Sequence, residues 1–236
     1  GIWTRCGGRT SLRRLECKPW RLVEGQHILS TRKLVDSVEE YEVLEQLIDQ
    51  TKPPLSSEPE FRGRHYLLST PFRYPPLRHG SRFGRRSERS VWYGAEELDT
   101  AFAEYAYYRV LFFDGSAAAL APNTITVTAF RASVRTDAGV DLTRAPFDAH
   151  RSVISSKTAY AGSQQLGSDM RADAVEAFRY ESARCPRRGA NIGLFTPAGF
   201  ASRSPVRSMQ NWFCTVTAQL DVEYRREDGG SGGKLD

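Results

Sequence analysis

The sequence is poor in the residues that metal and hydrolytic enzymes draw on. Its four histidines, His27, His65, His79 and His150, have no Cys, Asp or Glu at ligand spacing, and HExxH is absent, so no metal is expected. There is no GxSxG elbow to support a Ser/His/Asp triad, no Walker-type phosphate loop, and Gly7-Gly8 is an isolated pair. Cys6, Cys17, Cys185 and Cys214 form no CxxC pair, and a chain of 236 residues is long enough to do without disulfide staples. Reduced cysteines and a cytoplasmic setting are therefore expected. No apolar run reaches the roughly 18 residues of a membrane helix, and no charged-then-apolar leader opens the sequence, so neither a membrane span nor secretion is expected.

What is present is enough for one substantial core, with 40% hydrophobic and 11% aromatic residues. The net charge of +5 is mild and uneven, because Arg62, Arg64, Arg73, Arg78, Arg82, Arg85, Arg86 and Arg89 crowd one region. Such a cluster favours an anionic partner, and a phosphate-bearing small ligand fits it better than a polynucleotide. The glycine-rich end, 227–236, reads as a flexible tail or an appended remnant.

Periodicity places the elements. Asp36 or Ser37, each followed three residues later by a glutamate, opens a helix whose Val38, Tyr41, Leu44, Leu47 and Ile48 share an apolar face, ended by Pro53-Pro54. Residues 1–60 are thus expected to be an N-terminal helical extension packed on the core, with the main domain at 61–226. Short apolar runs at 65–69 and 90–93 read as strands, residues 96–113 as a long helix, and 123–131 as a half-buried strand. From Trp212 to Tyr224 every even position is apolar or aromatic, the pattern of one strand with a buried and a wet face. The sum is an α+β fold on mostly antiparallel sheet.

Four elements carry candidate chemistry: Ser81-Arg82-Phe83-Gly84, Val91-Trp92-Tyr93-Gly94, Thr100-Ala101-Phe102-Ala103-Glu104, and Phe178-Arg179-Tyr180-Glu181-Ser182-Ala183-Arg184. Arg82, Tyr93 and Glu104 follow one another at intervals of eleven. Over about residues 62–200 these elements resemble the RES-domain family of bacterial toxins, whose pattern is a Gly-Arg-aromatic element, an aliphatic-Tyr strand end, an Ala-x-x-Glu helix, and a strand ending in Ser before a Gly-rich turn. Phe72-Arg73-Tyr74 resembles an earlier Arg-Tyr element, Gly189-Ala190-Asn191-Ile192 continues the last one, and Ser81 stands where many members have Gly.

The resemblance implies an ADP-ribosyltransferase-like fold, two small, mostly antiparallel sheets with surrounding helices, and NAD⁺ as substrate. It implies Glu104, Arg82 and Ser182 as catalytic residues, and Arg73, Tyr74, Arg82, Tyr93 and Ser182 as those that bind NAD⁺. The residue types suit the chemistry: nicotinamide leaves without general-acid help, so one carboxylate that offsets a growing sugar cation suffices. Arginine can fork onto pyrophosphate or ribose oxygens, tyrosine can stack on a ring, and a serine hydroxyl can fix the carboxylate. Without the family pattern, Glu104 reads as an exposed helical glutamate, Arg82 as a solvated arginine, Tyr93 as a core aromatic and Ser182 as a turn serine. The resemblance further implies transfer of ADP-ribose to a protein acceptor, such as a nucleotide-synthesis enzyme, and a cognate antitoxin of the Xre/ParS type through which alone nucleic acid is met. Two alternatives stand beside it: NAD⁺ destruction with water or phosphate as acceptor, and a non-enzymic basic module for nucleic acid or phosphorylated partners.

Overall fold

The structure, a computed structural model, describes residues 1–25, 37, 40, 43, 47, 51, 53–54, 56–115, 122–207, 209–230 and 232–235. Their elements run, in order, α1 (Ile2–Arg5), β1 (Arg13–Cys17), β2 (Trp20–Glu24), α2 (Tyr66–Arg73), β3 (Trp92–Ala95), α3 (Leu98–Asp114), β4 (Asn123–Arg131), β5 (Val134–Asp141), α4 (Arg151–Ile154), α5 (Ala161–Ala172), β6 (Ala177–Glu181), β7 (Ala190–Leu194), β8 (Gln210–Val216), β9 (Val222–Arg226) and β10 (Gly233–Leu235).

The strands join in the order β1-β5-β6-β7-β3-β2-β4-β8-β9-β10. All pairs are antiparallel except β5–β6, whose parallel register needs the long crossover that α4 and α5 supply. Between β3 and β2 the paired residues reduce to Trp20 and Ala95. The ladder is therefore two five-stranded halves meeting at one point, which is how the expected pair of small sheets is realised.

Each half buries its own side chains. In β6 and β7 the period of two sends Phe178 and Tyr180 to one face, with Phe83, Leu166 and Met170, and sends Ala177, Ile192 and Leu194 to the other, with Trp92 and Phe130. Gly193 makes this possible, because a Cβ there would lie 2.2 Å from Phe178 Cζ. In the second half, Ala101, Phe102 and Ala106 of α3 pack on Trp212, Cys214, Val216 and Tyr224. The α3 helix follows β3 directly and also touches β7, so its first turns span both halves.

Several expectations are revised. Residues 65–69 open the helix α2, not a strand: His65 Nδ1 accepts from the Leu67 N–H at 3.2 Å, and Leu67, Leu68 and Phe72 are buried. So short an apolar run fits either period. The strand expected over 212–224 is the hairpin β8–β9, turned at Thr217, whose hydroxyl accepts from the Gln219 and Asp221 N–H groups, with Leu220 at φ 64°. Alternation continues across the turn because Val216 pairs with Val222. Residues 1–24 are not a helical layer but supply β1 and β2, the latter at the junction of the halves. The charged Arg13, Arg14 and Glu16 around the one buried Leu15 hid an edge strand. Gly233–Leu235, expected to be a loose tail, pairs with β9. The helix expected at 36–50 lies mostly outside the described residues, although the Ser37 hydroxyl accepts from the Glu40 N–H at 3.1 Å, as a helix cap does.

Candidate functional site

Glu104 lies on α3 one turn beyond Ala101, on a helix whose Ala103 and Ala106 are buried and small. Its Oε1 accepts from Ser182 Oγ at 2.6 Å and from Asn191 Nδ2 at 2.7 Å. Ser182 and Asn191 are 4% and 2% exposed, so the carboxylate is held from the protein side and half open on the other. Among the described residues Oε2 has no partner and Glu104 enters no ion pair. Neutral donors thus fix the carboxylate while its charge stays unneutralised.

Ser182 sits just past the end of β6. Its hydroxyl accepts from the Arg184 and Cys185 N–H groups at 3.1 and 3.0 Å while donating to Glu104, so every hydroxyl function is used. The turn behind it is pinned by the Ser182 N–H to the Gly189 carbonyl, 2.8 Å. Thr100, one turn before Glu104, donates to Cys185 Sγ at 3.6 Å and ties α3 to the same turn.

Tyr93, on β3, gives its hydroxyl to the loop that carries Arg82: it accepts from the Phe83 N–H at 3.1 Å and shares a hydrogen bond with Ser81 Oγ at 2.9 Å. Burial pushes this phenol up to about 12, against the opposing pull of the Ser81 hydrogen bond. The serine at position 81 therefore ties the Arg82 loop to β3. Gln164 Nε2 holds the same loop through the Ser81 carbonyl at 3.0 Å. Arg82 is 7% exposed, and its Nη1 donates to the Ser156 and Ile154 carbonyls at 2.6 and 3.5 Å. Its guanidinium lies 4.7 Å over the Tyr160 ring, and Nε and Nη2 have no partner among the described residues.

Tyr160 joins the two sides. Its hydroxyl accepts from Arg184 Nη2 at 3.1 Å, and Arg184 stacks 3.4 Å over Tyr107 of α3. Partial burial, with Tyr160 and Glu104 nearby, raises the Tyr108 phenol. Arg73 and Tyr74 stand apart. Arg73 donates to the Pro53 carbonyl, and the Tyr74 carbonyl accepts from Ser90 at 3.0 Å. Neither of these two contacts is with the group around Glu104.

Asn191, Tyr160, Tyr180 and Arg184 were assigned no role from sequence. Asn191 had a signal, an amide inside the apolar run of β7; Tyr160, in a loop, had none. A cavity of about 250 Å³ is lined by Leu142, Thr143, Asp148, Arg151, Ile154, Ser155 and Glu181, none of them a residue expected in the site. No His/Cys/Asp/Glu group suited to a metal ion occurs among the described residues, nor any helix long and apolar enough to cross a membrane.

The RES domain family matches residues 59–217, which spans all of these side chains. The chain belongs to the RES domain family. The RES match leaves β1 and β2 outside it, although they belong to the same sheet. Among solved structures the chain is similar to one from the complex of the M. tuberculosis toxin–antitoxin pair MbcT-MbcA, with TM-score 0.51, 10% identity and 93% of each chain covered. At that identity the likeness concerns the fold, which is the α+β arrangement expected. No curated protein matches.

Proposed function

We propose that this RES domain protein is the toxin of a toxin–antitoxin pair, an enzyme that cleaves NAD⁺ at the nicotinamide–ribose bond and passes ADP-ribose to a protein acceptor. One observation carries the reading: a glutamate with one oxygen held by two neutral donors and the other free, in a chain whose family pattern includes that glutamate. Nicotinamide leaves as a neutral molecule, taking the electron pair of the C1′–N bond. The ribose carbon is left as an oxocarbenium-like centre, and the acceptor's nucleophile closes the new bond and loses its proton. Glu104 offsets the positive charge on the sugar, Ser182 and Asn191 keep its carboxylate from turning away, and the spare Arg82 donors suit a phosphate or ribose oxygen.

The fold shared with a toxin–antitoxin complex supports a protein antitoxin as partner. Whether water, phosphate or a protein captures the sugar depends on the nucleophile alone, so hydrolytic loss of NAD⁺ is the competing reading. The non-enzymic basic module is disfavoured by where the arginine cluster goes. Arg64 binds the Glu60 and Ser202 carbonyls, Arg82 that of Ser156, and Arg89 forks onto Glu58, so much of the cluster is spent inside the chain.

Incubation with NAD⁺ labelled in the adenylate, with and without bacterial lysate, tests the proposal. Nicotinamide release with label on a discrete protein band is expected. Release with all label in small molecules leaves the hydrolytic reading, and no release at all removes both.

A further inference from the structure

Tyr180 is 4% exposed, yet its hydroxyl has no hydrogen-bond partner among the described residues. The oxygen is not sealed in the core, unlike the enclosed Tyr105 hydroxyl, so it opens onto accessible space where a ligand atom can reach it. The ring is fully engaged, edge-on to Phe83 at 4.8 Å and to Tyr93 at 6.3 Å, and tilted against Phe178 at 5.8 Å. The polar end is therefore the part left over.

Its position says what it faces. Tyr180 precedes Ser182 by two residues, on the same face of β6, and its cross-strand partner on β7 is Asn191, so it flanks both side chains that hold Glu104. These are the side chains of the site itself. Glu104 Oε2 is the matching feature, an acceptor without a donor among the described residues, in the same group as a donor without an acceptor. A sugar hydroxyl satisfies both, giving its proton to the carboxylate and accepting one from the phenol.

We propose that Tyr180 is a substrate-contacting residue whose hydroxyl donates to a ribose hydroxyl of the bound dinucleotide, the same sugar that Glu104 holds. This rests on the NAD⁺ reading above. Burial and the neighbouring Glu104 charge keep the phenol well above the usual tyrosine range, so it remains a donor throughout the physiological pH range.

The test compares wild type, Tyr180→Phe and Glu104→Gln by nicotinamide release, together with binding titrations of NAD⁺ and of analogues lacking one nicotinamide-ribose hydroxyl. Tyr180→Phe removes no protein contact, so its melting temperature should stay at or slightly above wild type. Its kcat/KM should fall roughly five- to tenfold, the worth of one neutral hydrogen bond. The affinity difference between wild type and Tyr180→Phe should vanish for the analogue that lacks the contacted hydroxyl. Wild-type cleavage with Tyr180→Phe within twofold overturns this assignment alone, as does an equal loss with every analogue. Absence of cleavage by the wild-type protein overturns the NAD⁺ reading and this assignment with it.

Discussion

Ser182 and Glu104, 78 positions apart in the chain, meet through a hydrogen bond of 2.6 Å from Oγ to Oε1, and the same serine oxygen receives two backbone N–H groups from the turn that follows it. The turn, the strand end and the helix are thereby one unit, so a change in any of them reaches the carboxylate.

Glu104→Gln should preserve that unit, because the amide oxygen can still accept from Ser182 and Asn191. Only the charge is lost. NAD⁺ cleavage is expected to drop about 10²- to 10³-fold in kcat, the scale of removing a preorganised electrostatic group. Calorimetry should find the melting temperature within about 2 °C of wild type. Nicotinamide release at the wild-type rate would remove Glu104 from the mechanism.

Ser182→Ala should act differently, since it frees the carboxylate and also leaves the Arg184 and Cys185 N–H groups without their acceptor. A destabilisation of about 1–3 kcal/mol is expected. For a chain of this size that is roughly 2–10 °C in melting temperature. A loss of activity smaller than that of Glu104→Gln should accompany it. Unchanged thermal stability would contradict the double acceptor role.

Gly189 is fixed by space: a Cβ there would lie 1.9 Å from Thr100 Oγ1 and 3.0 Å from Thr100 Cβ. Gly189→Ala should push the Ser182 turn off α3, costing about 1–3 kcal/mol as an overpacked site does, with a loss of NAD⁺ cleavage. Adding Thr100→Ala should relieve most of the clash. A double variant as poor as the single one would show that the clash is not the cause.

Glu58 supplies a pH signature away from the site. Its hydrogen bonds to Arg89 lower the carboxyl from 4.5 to about 2. Because the folded value is depressed, the stabilisation is complete above about 4.5 and disappears as the pH falls through about 2. The pair is partly exposed, so its worth lies under about 1 kcal/mol. Glu58→Gln should lower the melting temperature by at most a few degrees at pH 7 and by nothing near pH 2. An equal deficit at both pH values would exclude the ion pair as its source.

Where a segment's own period was long enough, the sequence displayed the element. The strand at 123–131 is β4 to the residue, and the helix expected at 96–113 is α3 within two positions. Where the signal was local but the partner distant, it misled. The even-position pattern of 212–224 survives a hairpin because both arms bury the same face, and five apolar-rich residues at 65–69 suit either period. The strand β1 was illegible because an edge strand in this sheet needs only Leu15 on the inside.

By itself the sequence determined the identities that the proposed chemistry calls on: a glutamate on a small-residue helix, a serine after an apolar strand, an arginine in a turn, and the family pattern that groups them. It could do so because residue type and spacing are local properties. Tertiary structure alone decided that Asn191 shares the carboxylate with Ser182, that Arg82 rests on Tyr160, that Arg73 meets the Pro53 carbonyl, and that Tyr180 pairs across the sheet with Asn191 while its hydroxyl is unspent among the described residues. Those are contacts between side chains distant in sequence, set by how two half-sheets and one helix close on each other, and no spacing rule along a single chain encodes them.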